Sequence, residues 1–452
     1  MVPDDAAIDL HAARAPTAGE PASSGYYASL RRLPFCWECG GSWWCGCTWW
    51  CGCTRRPRQG TRCNTAAGCT WMAAAAVLLL GLFFLAIFWS CLTMPRHRLM
   101  RPDARASSED ASSEDAREVV HAQAVRNRSA HGRARVMSYN VFLRPELITD
   151  AETRGENDFK DARLEALIER LDAYDILLLQ ETWIVNAARR KERLVEAARA
   201  RGFPYYVRSA CDRGGLLSDA MLLILSRHPL VLTREHTFAD RVGLERWASK
   251  GVLHARAWLN GDASCAVDLF TTHMQAGEAN NGGDDVRSRQ TRELVQFVLS
   301  GDHGADHEVA AVIAGDFNID GRSSRTDGTP SALYGRLLED LAPLNDSGRV
   351  LQNVLHHGTS NDNGQLLLPV TSPEGLSGRE GGGGGSVLIS ANHSAGKALD
   401  YAFMLSRSRR ADRAVRQEAG SARVDPMLAG EGGGEFEVLS DHFALVFTIE
   451  CN

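Results

Sequence analysis

The sequence predicts an α/β fold, two stacked mixed sheets with helices on their outer faces, preceded by one membrane helix. Three observations predict it. From residue 133 onward, short apolar runs alternate with patterns of helical period. Several of those runs are apolar at every position, so they should lie between layers rather than face water on one side. Upstream, residues 73–92 carry no charge at all, and that length lets a helix cross a hydrocarbon core of about 30 Å.

The chain divides at these composition shifts into an irregular Cys/Trp-rich region (1–72), a transmembrane segment (73–92), a polar linker (93–131) and a domain (132–452). Nine of the 12 cysteines precede residue 92. Residues 43–54 are a tandem hexapeptide, Trp-Trp-Cys-Gly-Cys-Thr twice. Acylation of membrane-proximal cysteines, a zinc site without a nearby histidine, and a slipped duplication with no fold of its own all remain open for it. Trp71 and Trp89 stand near the ends of 73–92, where interfacial aromatics sit. A signal peptide does not fit, because some seventy residues come first. Arginines flank the segment evenly at short range; Arg31 and Arg32 tip the positive-inside balance toward a cytosolic amino end. The linker repeats Ala-Ser-Ser-Glu-Asp at 106–115, clustered charge of the kind that stays solvated.

The domain is acidic, with 36 Lys and Arg against 45 Asp and Glu from residue 132 on. A nucleic-acid-binding protein normally shows a basic footprint, so this balance argues against a nucleic-acid partner. Cys211, Cys265 and Cys451 are an odd number without framework spacing, which suggests free thiols and a reducing compartment. Oligomeric state is not legible from the chain.

Within the domain the patterns predict strands at 133–142, 175–181, 205–208, 221–226, 252–258, 266–273, 309–317, 399–405 and 443–449. Helical spacing predicts helices at 160–171, 187–200, 285–299 and 332–341. The Gly- and Ser-rich stretch 357–396 reads as a long loop or insertion.

The chemistry lies where these strands end. Asn140 closes the first, and Gln180-Glu181 the second. His273 closes the run from 266, and Gly315-Asp316-Phe317-Asn318 the run from 309. Asp400 opens the next strand, and Ser440-Asp441-His442 precedes the last. Glu181 follows four apolar residues, a costly place for an acid unless something pairs with it. It and Asn140 are the candidate metal ligands, and Mg²⁺, a hard ion taken by carboxylates, water and phosphate, is the expected cofactor. Alternation puts Asp316 and Asn318 on one face, able to orient water and donate to a phosphoryl oxygen. His442 is a candidate proton acceptor with Asp400 fixing its tautomer, and His273 can serve a departing oxygen. Each element alone is ordinary turn or core chemistry; their joint occurrence at strand ends is what points to a metal-dependent phosphodiester hydrolase.

As a set, these residues resemble the endonuclease/exonuclease/phosphatase superfamily, and within it most closely the neutral sphingomyelinases. The second likeness rests on Ser138-Tyr-Asn-Val-Phe-Leu-Arg-Pro145, the run 214–227, Ala248-Ser-Lys-Gly-Val-Leu253 and Thr272-His273-Met274-Gln275. The resemblance implies a four-layered α/β sandwich with one metal site. It implies that Glu181 is the main Mg²⁺ ligand beside Asn140. Asp316, Asn318 and His442 would lie on the attacking side, with His273 on the leaving side, and Asp441 is a further catalytic candidate. It also places Lys250 near the site, usually with an Asp five residues earlier; Glu245 stands there, and whether it pairs with Lys250 is left open. Ser218-Asp219-Ala220 departs from the small, Gly-rich pattern usual at that place. The activity implied is cleavage of a phosphosphingolipid in a membrane. A nuclease and an inactive, membrane-anchored binding module are the alternatives. An inositol-polyphosphate phosphatase fits less well, because its Trp-x-Gly-Asp-x-Asn and Cys-Asp-Arg elements are missing.

Overall fold

A computed structural model describes residues 97–98, 132–144, 159–183, 188–210, 219–277, 282–300, 309–345, 349–355, 367–374, 392–407, 415–429 and 436–451. Regions 1–72 and 73–92, and with them the expected membrane helix, lie outside the described residues. Among those described, no helix is long and apolar enough to cross a membrane.

One sheet runs, in spatial order, β1 (His97–Arg98), β4 (Tyr205–Arg208), β5 (Leu223–Ser226), β3 (Ile176–Thr182), β2 (Arg133–Leu143), β16 (Ala444–Cys451) and β14 (Val415–Gln417), with β15 (Arg423–Asp425) also on β16. The other runs β10 (Arg349–Asn353), β13 (Asp400–Arg407), β9 (Ala310–Asp316), β8 (Ala266–His273), β7 (Gly251–Trp258) and β6 (Leu230–Thr237). Each sheet is mixed, with one parallel pair, β2 with β3 and β8 with β9, among antiparallel neighbours. The helices are α1 (Lys160–Arg170), α2 (Ala188–Ala200), α3 (Gly283–Leu299) and α4 (Ala332–Leu341). Ser331 caps α4 by accepting the Tyr334 N–H at 3.1 Å.

Strand alternation builds the layers. Val136, Ile176, Leu178 and Phe447 meet Leu253, Leu269 and Val312 between the sheets. Their neighbours Met137, Leu177 and Leu179 turn the other way, onto Leu164 and Leu167 of α1 and Leu194 of α2. Phe270, Ile313 and Phe403 pack outward from the second sheet against Leu294 and Val298 of α3 and Leu337 of α4. The order is helix, sheet, sheet, helix, and the runs apolar at every position are the strands with a layer on both sides.

Some expectations fail. Strand β6 has a mixed, half-buried pattern and lies at a sheet edge, so it lacked the apolar run that marks the inner strands. Part of 357–396 is paired backbone rather than loop, because β11 (Ser372–Glu374) and β12 (Asn392–Lys397) form a two-stranded sheet. The start of the linker is also paired, as His97–Arg98 joins the edge of β4. The inference of free thiols is corrected as well. Cys265 and Cys451, 186 positions apart, form a disulfide that ties the entry of β8 to the end of β16. Only the stacking of the two sheets brings them together, which sequence spacing cannot show. Cys211 lies outside the described residues.

A polar cross-strand group on the outer face of the second sheet sets an acid limit on stability. Asp268 Oδ1 lies 2.9 Å from His254 Nε2 and 2.9 Å from Arg256 Nε, while its Oδ2 accepts from Arg256 at 2.9 Å. Burial alone would raise the Asp268 carboxyl, but the bonds to His254 and Arg256 outweigh it and hold it down to about 2, against an ordinary 3.8. A depressed carboxylate contributes stability above its unfolded value, and that contribution is lost as pH falls through the folded value. Asp268→Asn should therefore lower stability by about 2 kcal/mol at pH 6. It should also flatten the loss between pH 4 and pH 2, as read by urea unfolding at each pH.

Candidate active site

The topology carries the candidate residues to one edge. Strands β2 and β3 are parallel with Asn140 opposite Gln180, and β8 and β9 are parallel with His273 opposite Asp316. Asp400 starts β13 opposite Asp316, and β16 begins just past His442, with Leu445 opposite Ser138. Gly315 makes the β8–β9 approach possible. Its φ is 147°, and a Cβ there would sit 2.1 Å from the Thr272 carbonyl oxygen. Glu181 and Asn318 hold left-handed backbone, with φ of 56° and 53°, strain that persists only where the surroundings enforce it.

The carboxylates and imidazoles form one connected, buried group. Asn140 Nδ2 donates to Asp316 Oδ2 at 3.0 Å and Glu181 Oε1 at 3.3 Å. Its Oδ1 accepts the Phe142 N–H at 3.1 Å. As arranged, Asn140 spaces two acids apart rather than presenting an oxygen between them; turning the amide over would set its NH₂ against the Phe142 N–H. His442 Nδ1 is 2.8 Å from Asp400 Oδ2, and its Nε2 is 3.8 Å from Asp316 Oδ2. His273 Nε2 is 3.5 Å from the same Asp316 oxygen and 4.0 Å from Glu181. Lys250 Nζ donates to His273 Nε2 at 3.0 Å and to the Met274 carbonyl at 2.7 Å. It also pairs with Glu245 at 2.8 Å, which answers the question the sequence left open.

Asn318 and Asp441 flank this group rather than join it. The Asn318 amide donates to the Met274 carbonyl at 3.0 Å, while its backbone N–H binds Asp316 Oδ1 at 2.9 Å. Asp441 Oδ2 lies 3.8 Å from Arg144 and its Oδ1 lies 3.3 Å from Ser440 Oγ.

Sequence reasoning missed three supports. Arg144 binds Glu181 Oε2 at 2.9 Å and stacks over the Phe142 ring at 4.3 Å. It sits inside the 138–145 motif and could have been read as the acid's counter-charge. The Thr371 hydroxyl oxygen accepts the N–H groups of Leu399 and Asp400 at 2.9 and 3.0 Å, holding the start of β13. Ser440 Oγ donates to the Asn140 carbonyl at 2.6 Å, joining the two ends of the chain's motif set.

The surroundings push the groups apart in proton affinity. Burial works to raise Glu181, but the charges of Arg144 and Lys250 hold it well below the usual carboxylate range. Asp316 is pushed up to about 7, chiefly by burial, with Asp400 adding and His442 opposing. Burial would lower His442, yet Asp400 and Asp316 hold it well above the ordinary imidazole. Burial and Lys250 hold His273 well below it. A neutral His273 accepting from Lys250 at Nε2 keeps its proton on Nδ1, a buried atom with no hydrogen-bond partner. One site thus holds a charged and a neutral imidazole, the separation that lets a pair of groups divide acid and base work.

The donor set fits a divalent cation. Glu181, Asp316 and Asp400 are three buried carboxylates, and atoms of Asp316, Asp400 and His442 lie within 4.8 Å of one another. Buried carboxylate oxygens of this kind suit a hard ion.

Residues 137–442 match the Endonuclease/Exonuclease/phosphatase family. The chain belongs to that family. A family relative, a sphingomyelinase of Dictyostelium discoideum, is 29% identical over 199 residues, covering 38% of this chain and 43% of that one. The chain thus spans less than half the length of this curated relative. Among solved structures, Sphingomyelinase C from Streptomyces griseocarneus aligns at 18% identity with a TM-score of 0.45, over 71% of this chain and 99% of that one. A mutant of the Staphylococcus aureus beta toxin with bound magnesium ions aligns at 15% and 0.44, over 70% and 98%. D. rerio TDP2 complexed with single strand DNA product aligns at 16% and 0.44, over 70% and 99%. At these scores the likeness does not separate lipid from nucleic acid as substrate.

Proposed function

We propose that the protein is a membrane-anchored, Mg²⁺-dependent phospholipase C-type hydrolase. Its substrate is sphingomyelin or a related phosphosphingolipid, cleaved to ceramide and a phosphorylated headgroup. The observation that carries the reading is the buried group of three carboxylates, one charged and one neutral imidazole and a lysine at one edge of the stacked sheets. The sphingomyelinase-like motif set and the Dictyostelium relative favour a lipid over a nucleic acid, as does the acidic domain. Residues 73–92 supply the anchor, confining the domain to the surface where its substrate is concentrated. The Cys265–Cys451 bridge favours an oxidising side for the domain, in accord with the arginines that precede the anchor.

Glu181 would hold Mg²⁺, with the Asn140 amide fixing the Glu181 and Asp316 carboxylates beside it, and the ion would neutralise phosphoryl oxygens and polarise water. The chain's own residues handle the protons. Asp316, and His442 once it has shed its own proton, take the proton that water gives up as its oxygen bonds to phosphorus. Asp400 holds the His442 ring in orientation. Opposite them, Lys250 and His273 serve the ceramide oxygen as the phosphorus–oxygen bond breaks and that oxygen gains a proton. Asn318 and the Met274 carbonyl fix the spacing between the two sides.

The test is the full chain in mixed detergent micelles with Mg²⁺, offered sphingomyelin, inositol phosphoceramide and abasic DNA in parallel. Release of a phosphorylated headgroup from one of the lipids, with DNA intact, is the expected result. Cleavage of DNA alone would replace this reading with a nuclease. Inertness toward all three would leave a binding module.

A further inference from the structure

A second charged group lies behind the site, and no part of the mechanism uses it. Lys191 Nζ, from α2, sits 2.7 Å from Asp219 Oδ2, with both side chains fully shielded from solvent. The same Asp219 oxygen accepts Ser209 Oγ at 2.8 Å, and Ser209 Oγ accepts the Leu222 N–H at 3.0 Å. A backbone bond from Ser209 N–H to the Leu222 carbonyl, 3.0 Å, closes residues 219–222 onto the end of β4. Inside that segment Met221 has left-handed backbone, φ 59°. Its carbonyl receives two bonds from one residue, the Thr182 N–H at 3.0 Å and the Thr182 hydroxyl at 3.0 Å. Thr182 directly follows Glu181, itself left-handed.

Two charges removed from water cost several kcal/mol in desolvation, and well-packed apolar residues in their place are often as stable or more so. Fold stability alone is therefore a weak reason for the pair. We infer that Lys191 and Asp219 form a positioning device for Glu181: they set the Met221 carbonyl, on which Thr182 holds the left-handed turn that aims the Glu181 carboxylate. The inference rests on the reading of Glu181 as the cation's ligand.

The test is calorimetric titration of the full chain, in detergent and without substrate, with Mg²⁺. Supporting groups of this kind change metal affinity by about 10- to 100-fold. Asp219→Asn and Thr182→Val should each weaken Mg²⁺ binding by about that factor, and Thr182→Ser should restore it. The apolar replacement Lys191→Met with Asp219→Leu should keep the melting temperature while still binding Mg²⁺ weakly. Wild-type affinity in Thr182→Val and in the double variant would overturn the inference, whatever happens to melting. Glu181→Gln in the same titration separates the two failures. Undiminished binding there would remove Glu181 as ligand and the inference with it. Lost binding there beside wild-type binding in the other variants would overturn the positioning role alone.

Discussion

Glu181→Gln is expected to lower turnover on the order of 10³-fold or more, equivalent to about 4 kcal/mol of transition-state stabilisation. The substitution is nearly isosteric and removes only the charge. Glu181 lies at the end of β3, in strained backbone, with Arg144 at 2.9 Å on one oxygen and Asn140 at 3.3 Å on the other. Arg144 and Lys250 keep the carboxylate ionised throughout the neutral range despite its burial. A group held charged against its desolvation is prepared for a cation, and a neutral amide cannot replace it. The loss should appear in kcat at saturating lipid, with unchanged far-UV circular dichroism, and excess Mg²⁺ should recover only part of it. Near-native kcat would show that the cation, if one is used, is held elsewhere in the group.

How far the site was legible follows from what each residue depends on. Strands β2, β3, β8 and β9 announced themselves because burial on both faces demands unbroken apolar runs. A polar residue ending such a run is conspicuous, so Glu181, His273 and Asp316 could be named before any fold was known. Three features depended on geometry that a one-dimensional pattern does not carry. The irregularity in β2 between Asn140 and Leu143 sets the Asn140 amide and brings Arg144 back to Glu181. Thr371 belongs to a stretch whose Gly and Ser content looked like loop, yet it supports Asp400. The disulfide needs the two sheets already stacked. The opposed states of His273 and His442 also lay beyond reach, since they follow from which charges surround each ring, Lys250 for one and two carboxylates for the other.

Those opposed states yield the other large expected effect. His442→Ala removes a proton-transfer group and should cost about 10²- to 10⁴-fold in kcat. Asp400→Asn is the more telling substitution, because it keeps the shape and changes the field. The Asp400 carboxylate raises His442, to which it is bonded at 2.8 Å, and it also raises Asp316, the carboxylate opposite it in register. Replacing it by an amide lowers both. A group acting as base works only after it has lost its proton, so the rising limb of kcat/KM against pH must move toward lower pH. The sign is the same whether His442, Asp316 or the two together accept the proton from water. The amide can also turn its NH₂ toward Nδ1 and leave the ring in the wrong tautomer, so the plateau should fall as the limb shifts. Measuring kcat/KM from pH 5 to pH 9 for wild type and Asp400→Asn distinguishes these roles. A plateau that drops with its limb in place would make Asp400 a support for the ring without control of its proton. A falling limb that moves to lower pH, with no rising limb shifted, would mean that the proton is needed, and that His442 acts as the acid.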